Sequence, residues 1–145
     1  MSVQKSAWTA LKSQVSGDTT LAAYVKRFKF NRQEEVFKKA DFPLVIMFPL
    51  SITEEEYIGI PKQKITKLTI NVFGKVTSEK GDTLEDEMLT IDELIKNAVE
   101  KNLQITDKAI ICNIGNSEFA YLDKEYAETN FQIVITLPRF TAGSR

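Results

Sequence analysis

Residues 65–77 alternate, with Leu68, Ile70 and Val72 falling on one side and Thr69, Asn71 and Phe73 on the other. Successive strand residues point to opposite faces, so a period of two predicts a strand with one buried face. Such a strand needs sheet neighbours and a covering layer. Residues 84–103 supply the layer. Leu84, Met88, Ile91, Leu94, Ile95, Ala98 and Val99 make one helical stripe, while Glu85, Glu87, Glu93 and Lys96 take the wet face. The acidic first turn and Lys101 in the last turn complement the helix dipole. Between strand and helix, Ser-Glu-Lys-Gly-Asp is turn chemistry, and Asp82 or Thr83 is the expected cap. Gly74 marks a bulge or a close backbone approach.

The remaining segments fit around this pair. Val3, Ala7, Trp8, Leu11 and Val15 predict an N-terminal helix over residues 3–15. Gly17-Asp18 interrupts it, with Asp18 capping a short second helix whose stripe is Leu21, Tyr24, Val25 and Phe28. Residues 29–41 read as a loop with at most one helical turn. Residues 42–49 (F-P-L-V-I-M-F-P) are an apolar run bounded by prolines, read as a buried strand. Residues 51–63 read as an acidic-then-apolar loop. Residues 109–114 are a strand ending at Gly115-Asn116, and residues 119–122 return as its hairpin partner. Residues 130–140 alternate again, with Pro138 expected to end the pairing. The small, polar residues 141–145 are expected to be loose.

The expected fold is α+β: one domain over residues 1–145, in the order α-β-β-α-β-β. A mostly antiparallel sheet of about four to five strands carries the N-terminal helix and the central helix on one face.

Composition narrows the chemistry. There is no histidine and one cysteine, which removes the usual neutral-pH base, the commonest metal ligand, internal disulfides and cysteine-cluster zinc sites. Nineteen basic residues against twenty acidic ones give a net charge of -1, which disfavours sequence-independent wrapping of nucleic acid. No secretory signal and no apolar run of about 20 residues is visible, so the expectation is a cytoplasmic origin and no membrane.

No catalytic constellation stands out. Glu54-Glu55-Glu56 are consecutive and do not converge easily on one ion, so a solvated face is the plainer reading. Glu85-Asp86-Glu87 is helix N-terminal charge. Gly115-Asn116-Ser117 has no phosphate-loop pattern. Cys112 lies in an apolar strand and reads as a small buried hydrophobe. No catalytic residue, cofactor or metal is therefore expected. Large apolar groups at the ends of the periodic elements offer two readings, packing beneath loops or contact with another chain. The candidate interface residues are Phe30, Phe37, Glu54, Glu55, Glu56, Tyr57, Ile58, Ile60, Arg139 and Phe140.

Element order supports one resemblance. An amphipathic N-terminal helix precedes Phe42-Pro43-Leu44-Val45-Ile46-Met47-Phe48-Pro49. The long strand Lys67-Leu68-Thr69-Ile70-Asn71-Val72-Phe73-Gly74 follows, then the helix with Leu94-Ile95 and Leu103, then Gln132-Ile133-Val134-Ile135-Thr136-Leu137-Pro138-Arg139-Phe140. The layout resembles the tail terminator (tail completion) proteins of long-tailed bacteriophages and related phage-derived particles, over nearly the whole chain and without a sharp motif. The resemblance implies a structural, non-enzymatic virion protein, made in the host cytoplasm and placed at the tail or neck. It implies a homo-oligomer, a hexameric ring that caps the tail tube protein, stops tail polymerisation and meets the head–tail connector protein. DNA would pass through its lumen without sequence-specific binding, with Glu54–Glu56 as the expected acidic lining. The alternatives are a neck adaptor, a tube subunit, an adaptor binding a cellular protein through residues 57–60, and a small ligand-binding or carboxylate-based enzyme domain.

Overall fold

The computed structural model describes residues 3–32, 37–57, 63–78, 83–105 and 111–140, with backbone alone at 55–57, 63–64 and 138–140. The helices are α1 (Val3–Ser16), α2 (Thr19–Tyr24) and α3 (Leu84–Glu100), with a single 3-10 turn at Lys39–Asp41. The strands are β1 (Arg27–Lys29), β2 (Leu44–Tyr57), β3 (Gln63–Thr77), β4 (Ile111–Ile114), β5 (Glu118–Tyr121) and β6 (Tyr126–Phe140). They form a six-stranded sheet in the order β1-β2-β3-β6-β4, with β5 also on β6. Only β1 with β2 is parallel; the other pairings are antiparallel. The fold is the expected α+β class.

Strand β3 is the spine, registered against β2 from Leu44↔Lys75 to Tyr57↔Gln63 and against β6 along its whole length. Its Leu68, Ile70, Val72 and Val76 join Val45, Met47, Phe131, Ile133, Ile135 and Leu137 in one core. Ala7, Leu11 and Val15 of α1 and Met88, Ile91, Ile95 and Val99 of α3 cover it. Gly74 is the close approach: a Cβ there would lie 3.0 Å from Thr129 Cγ2 and 3.1 Å from both Ile91 Cγ2 and Ile95 Cδ1. The absent side chain lets α3 settle on the β3–β6 ladder.

Caps set the helix ends. Asp18 Oδ1 accepts from the Leu21 N–H at 2.9 Å, and Thr83 Oγ1 accepts from the Asp86 N–H at 3.2 Å; Asp82 lies outside the described residues. The second helix stops at Tyr24 rather than running through Phe28, which stands in β1 opposite Val45. Its apolar spacing continues past the helix because Phe28 also packs on the core, but from β1, whose pairing with β2 no local pattern announces.

Three further expectations change. Residues 51–57 are not loop but the outer half of β2, laddered to β3. Glutamates are poor strand formers alone, and here the ladder decides. Two prolines fall inside strands: Pro49 lies where β1 has already stopped at Ile46, and Pro138 where β4 has stopped at Thr136. Among the described residues both sit on single-sided stretches, where proline is tolerated, and pairing of β6 with β3 continues to Phe140. Finally, β5 does not pair back on β4. Both run along β6, with the Gly115 N–H donating to Gln132 O at 2.7 Å and Glu118 opposite Asn130. Asn116 and Ser117 thus stand together opposite Phe131, a β-bulge in one edge strand.

Candidate functional site

The sheet has a second face. There Phe42, Leu44, Ile46 and Phe48 form a smaller cluster with Phe37, Phe73 and Tyr126. It arises because β2 is apolar on both sides over residues 44–48, while Phe73 is the aromatic on the side of β3 that also carries Lys67, Thr69, Asn71 and Lys75. Phe48 and Phe73 are tilted neighbours, ring centres 6.2 Å apart. Phe37 meets Phe42 edge-on at 6.4 Å.

Cations surround this patch. Arg27 Cζ lies 5.5 Å and Lys29 Nζ 5.1 Å from the Phe37 ring centre. Lys75 Nζ lies 5.8 Å from that of Phe73 and pairs with Glu128 at 3.4 Å. Contacts of this kind each contribute about 0.5–2 kcal/mol according to their desolvation. Together the rings and cations border a groove of about 580 Å³. Its apolar lining is Phe37, Ile46, Phe48, Leu50 and Phe73, and its polar lining is Lys29, Asn31, Arg32, Asn71 and Lys75, of which Lys29 and Asn71 are buried. Among the described lining residues every charged side chain is basic, with Lys75 paired to Glu128.

A second cluster lies under the edge bulge. Lys96 Nζ donates to Ser117 Oγ at 2.6 Å, and Ser117 Oγ and Thr129 Oγ1 donate to Asp92 Oδ1 at 2.5 and 2.7 Å. A serine nucleophile with a lysine base needs the neutral amine. The Lys96 nitrogen instead faces the Asp92 carboxylate at 3.2 Å and the Phe131 ring at 5.1 Å, both of which are partners for an ammonium. The network fastens α3 to the bulged edge. Cys112 is buried, and burial pushes its thiol up to about 12, far from a reactive thiolate. No group of three or more metal-ligating side chains occurs among the described residues, and none of their helices is long and apolar enough to cross a membrane.

The sequence candidates fall in three places. Phe30 packs on the core side, edge-on to Trp8 at 6.3 Å and stacked on Phe28 at 6.1 Å. Phe37 walls the groove. Glu54, Glu55, Glu56 and Tyr57 lie at the far end of β2, where the register aligns Glu56, Lys64 and Arg139, then Tyr57, Gln63 and Phe140. Ile58 and Ile60 lie outside the described residues. The basic rim and Phe48 escaped sequence reasoning. The available signal was Phe73, an aromatic where alternation calls for a polar residue.

Other large apolar groups are exposed too, Val3 on α1 and Leu89 on α3 among them, and several lie on the sheet edges. Beyond Ile46 the outer side of β2 has no neighbour among the described residues, and Leu50 and Ile52 are 49% and 48% exposed. On the opposite edge Phe119, Tyr121 and Leu122 are 45%, 58% and 52% exposed.

No protein-family model matches the chain, and no curated protein matches it. A chain of the solved structure described as "Virion of native gene transfer agent (GTA) particle" aligns over 90% of this chain and 93% of its own, with a TM-score of 0.44 and 7% identity.

Proposed function

We propose that the chain is a non-enzymatic structural protein of a phage-like particle, one that closes into a ring in the manner of a tail terminator. In this role six copies cap the tail tube, stop its growth and meet the head connector, while DNA passes through the lumen. The observation that supports the reading is the pair of unlike apolar edges: Leu50 and Ile52 on the β2 side, Phe119, Tyr121 and Leu122 on the β5 side. Exposed sheet edges bearing large apolar groups are ordinarily covered, twisted away or charged. Two different patches on opposite sides of one sheet suit a head-to-tail contact, in which one edge of each copy meets the other edge of the next. Contacts of that type close into rings when the rotation allows.

Light scattering on the purified chain over a concentration series tests the reading. A species near 99 kDa, six copies of the 16.5 kDa chain, is expected alone or once purified tail tubes are added. A chain that remains monomeric and is not captured at tube ends refutes the ring. Capture by connector rings but not by tubes would move the protein to the neck.

A further inference from the structure

We propose that the contact between neighbouring copies is a strand pairing: the outer half of β2 in one copy adds antiparallel to β5 of the next, with Ile52 opposite Tyr121. The inference rests on the head-to-tail reading of the two edges and deepens it, naming the main-chain groups that meet and their register.

Each edge turns a defined series of main-chain groups outward. The Lys26 N–H donates to Pro43 O at 2.9 Å, so Pro43 and every second residue after it face the outer side of β2. Pro49 falls in this series, where its missing N–H breaks no bond to β3. The register shift between Pro49 and Ser51 moves the series by one, and it resumes at Ile52, Glu54 and Glu56. On the other edge the Leu122 N–H donates to Tyr126 O at 2.9 Å. Leu122, Ala120 and Glu118 therefore face β6, and Phe119 and Tyr121 turn their main chain away from it. Strand β4 is less open, because Leu103 O already accepts from the Cys112 N–H.

The side chains follow the same alternation. Ile52 is paired with Leu68 and Tyr121 with Ala127, both core residues beneath the helices, and directly paired residues share a face. Strands β2, β3, β6 and β5 alternate in direction, so β5 opposes β2. A rotation about an axis along the strands preserves that opposition in the next copy, and one sheet continues from copy to copy with its helices on one side.

The apolar groups choose the register. With Ile52 opposite Tyr121, Ile52 is also diagonal to Phe119. Leu122 then comes opposite Ser51, next to Leu50 on the other face. All five exposed edge residues are matched. A shift of two residues sets Ile52 against Asp123, and the opposite shift sets Tyr121 against the irregularity after Pro49. Covering these side chains also takes water from the outward N–H and C=O groups, which the new ladder satisfies.

Cysteine pairs read the register. Thr53 and Ala120 are exposed and become a non-hydrogen-bonded pair across the contact, with Cα atoms about 4.5 Å apart, within reach of a disulfide. Within one chain they are three strand spacings apart, about 14 Å, which no disulfide spans. Chains carrying Thr53→Cys and Ala120→Cys, oxidised at assembling concentration, are expected to form a covalent ladder up to the full ring. Thr53→Cys with Glu118→Cys or with Leu122→Cys sets the sulfurs on a diagonal of about 7–8 Å and should crosslink at least about tenfold more slowly. If circular dichroism shows the double variant unfolded, the two single variants are mixed and read as a one-to-one covalent dimer.

A ring of wild-type mass that crosslinks fastest at another pair, or at none, overturns the strand pairing and leaves the ring standing. A disulfide formed by Thr53→Cys alone overturns it in favour of a two-fold contact between β2 edges. Covalent chains at 53 and 120 without a ring mass uphold the pairing and remove the ring. A chain that stays monomeric at every concentration and beside tail tubes, with no disulfide, overturns both.

Discussion

Lys101, the residue on which α3 ends, donates from its ammonium to the carboxylate of Asp18, the residue on which α2 begins. One buried acid therefore caps one helix and holds the end of another. Gln14 of α1 works at the same junction: its Nε2 lies 2.9 Å from Val99 O and 3.1 Å from Ala98 O and Asn102 O. The last carbonyls of a helix have no intrahelical partners, so side chains from α1 and α2 fix where α3 lies and hence the layer above β3 and β6.

The Asp18 junction gives the fold an acid sensitivity. The Lys101 hydrogen bond, aided by the Leu21 N–H and opposed by burial, holds the Asp18 carboxyl below its ordinary 3.8. A depressed carboxyl stabilises the fold above the unfolded value and loses that contribution as pH falls through the folded one. Lys101 is largely exposed, which limits the effect. Lys101→Met should cost about 1 kcal/mol at pH 7, with the gap from wild type narrowing as pH falls below the ordinary carboxyl value and Asp18 protonates. Urea midpoints followed from pH 7 downward check it, and a gap that does not change with pH would remove Asp18 as the cause.

Gly74 tests the packing of α3 on the sheet. Gly74→Ala should destabilise by about 1–3 kcal/mol, because the added methyl meets three side-chain methyls at 3.0–3.1 Å. Ile95→Val removes one of them, the Cδ1 carbon. The double variant should therefore cost less than the sum of the two single changes, a coupling readable from thermal or urea unfolding. Strict additivity would mean that the strain is taken up elsewhere.

These contacts show what local pattern can and cannot announce. The alternation of Leu68, Ile70 and Val72, the stripe from Leu84 to Val99 and the cap at Asp18 are one-element signals, and the structure places all of them as expected. Phe28 and residues 51–57 depart from their local pattern because their conformation is set by partners distant in sequence: β1 by its pairing with Leu44–Ile46, the outer β2 by its ladder to β3. The bulge at Asn116 and Ser117 looks like a hairpin turn for the same reason, since only β6 reveals that β4 and β5 share one edge. Of the groove, Phe37 was legible and the basic rim was not, because Lys29, Arg32 and Lys75 converge only once β1, β2 and β3 lie side by side.

Cys112 reports on the same edge. Its side chain is 2% exposed and its N–H donates to Leu103 O at 2.8 Å. With the thiol pushed up to about 12, both access and thiolate content are low at pH 8. Ellman's reagent should label the native chain at least about a hundredfold more slowly than the chain in guanidinium. Native labelling at the denatured rate would place β4 among the easily opened parts of the fold.

The two sheet edges supply the decisive comparison for assembly. Leu50→Lys with Ile52→Lys, and Phe119→Lys with Tyr121→Lys, alter exposed positions, so each pair should move monomer stability by no more than about 1 kcal/mol. Each should nevertheless abolish the ring, since a lysine ammonium in a covered apolar contact has no partner. Mixing separates the possible symmetries. A head-to-tail contact leaves one intact patch on each variant, and the patches are complementary. The mixture should then stop at a one-to-one dimer near 33 kDa, two copies of the 16.5 kDa chain, while each variant alone stays monomeric. A self-complementary contact behaves differently: the variant with the intact patch dimerises with itself and gains nothing from the other. Light scattering on the three samples distinguishes these cases, and a ring that survives either pair of substitutions would exclude the edges as its contacts.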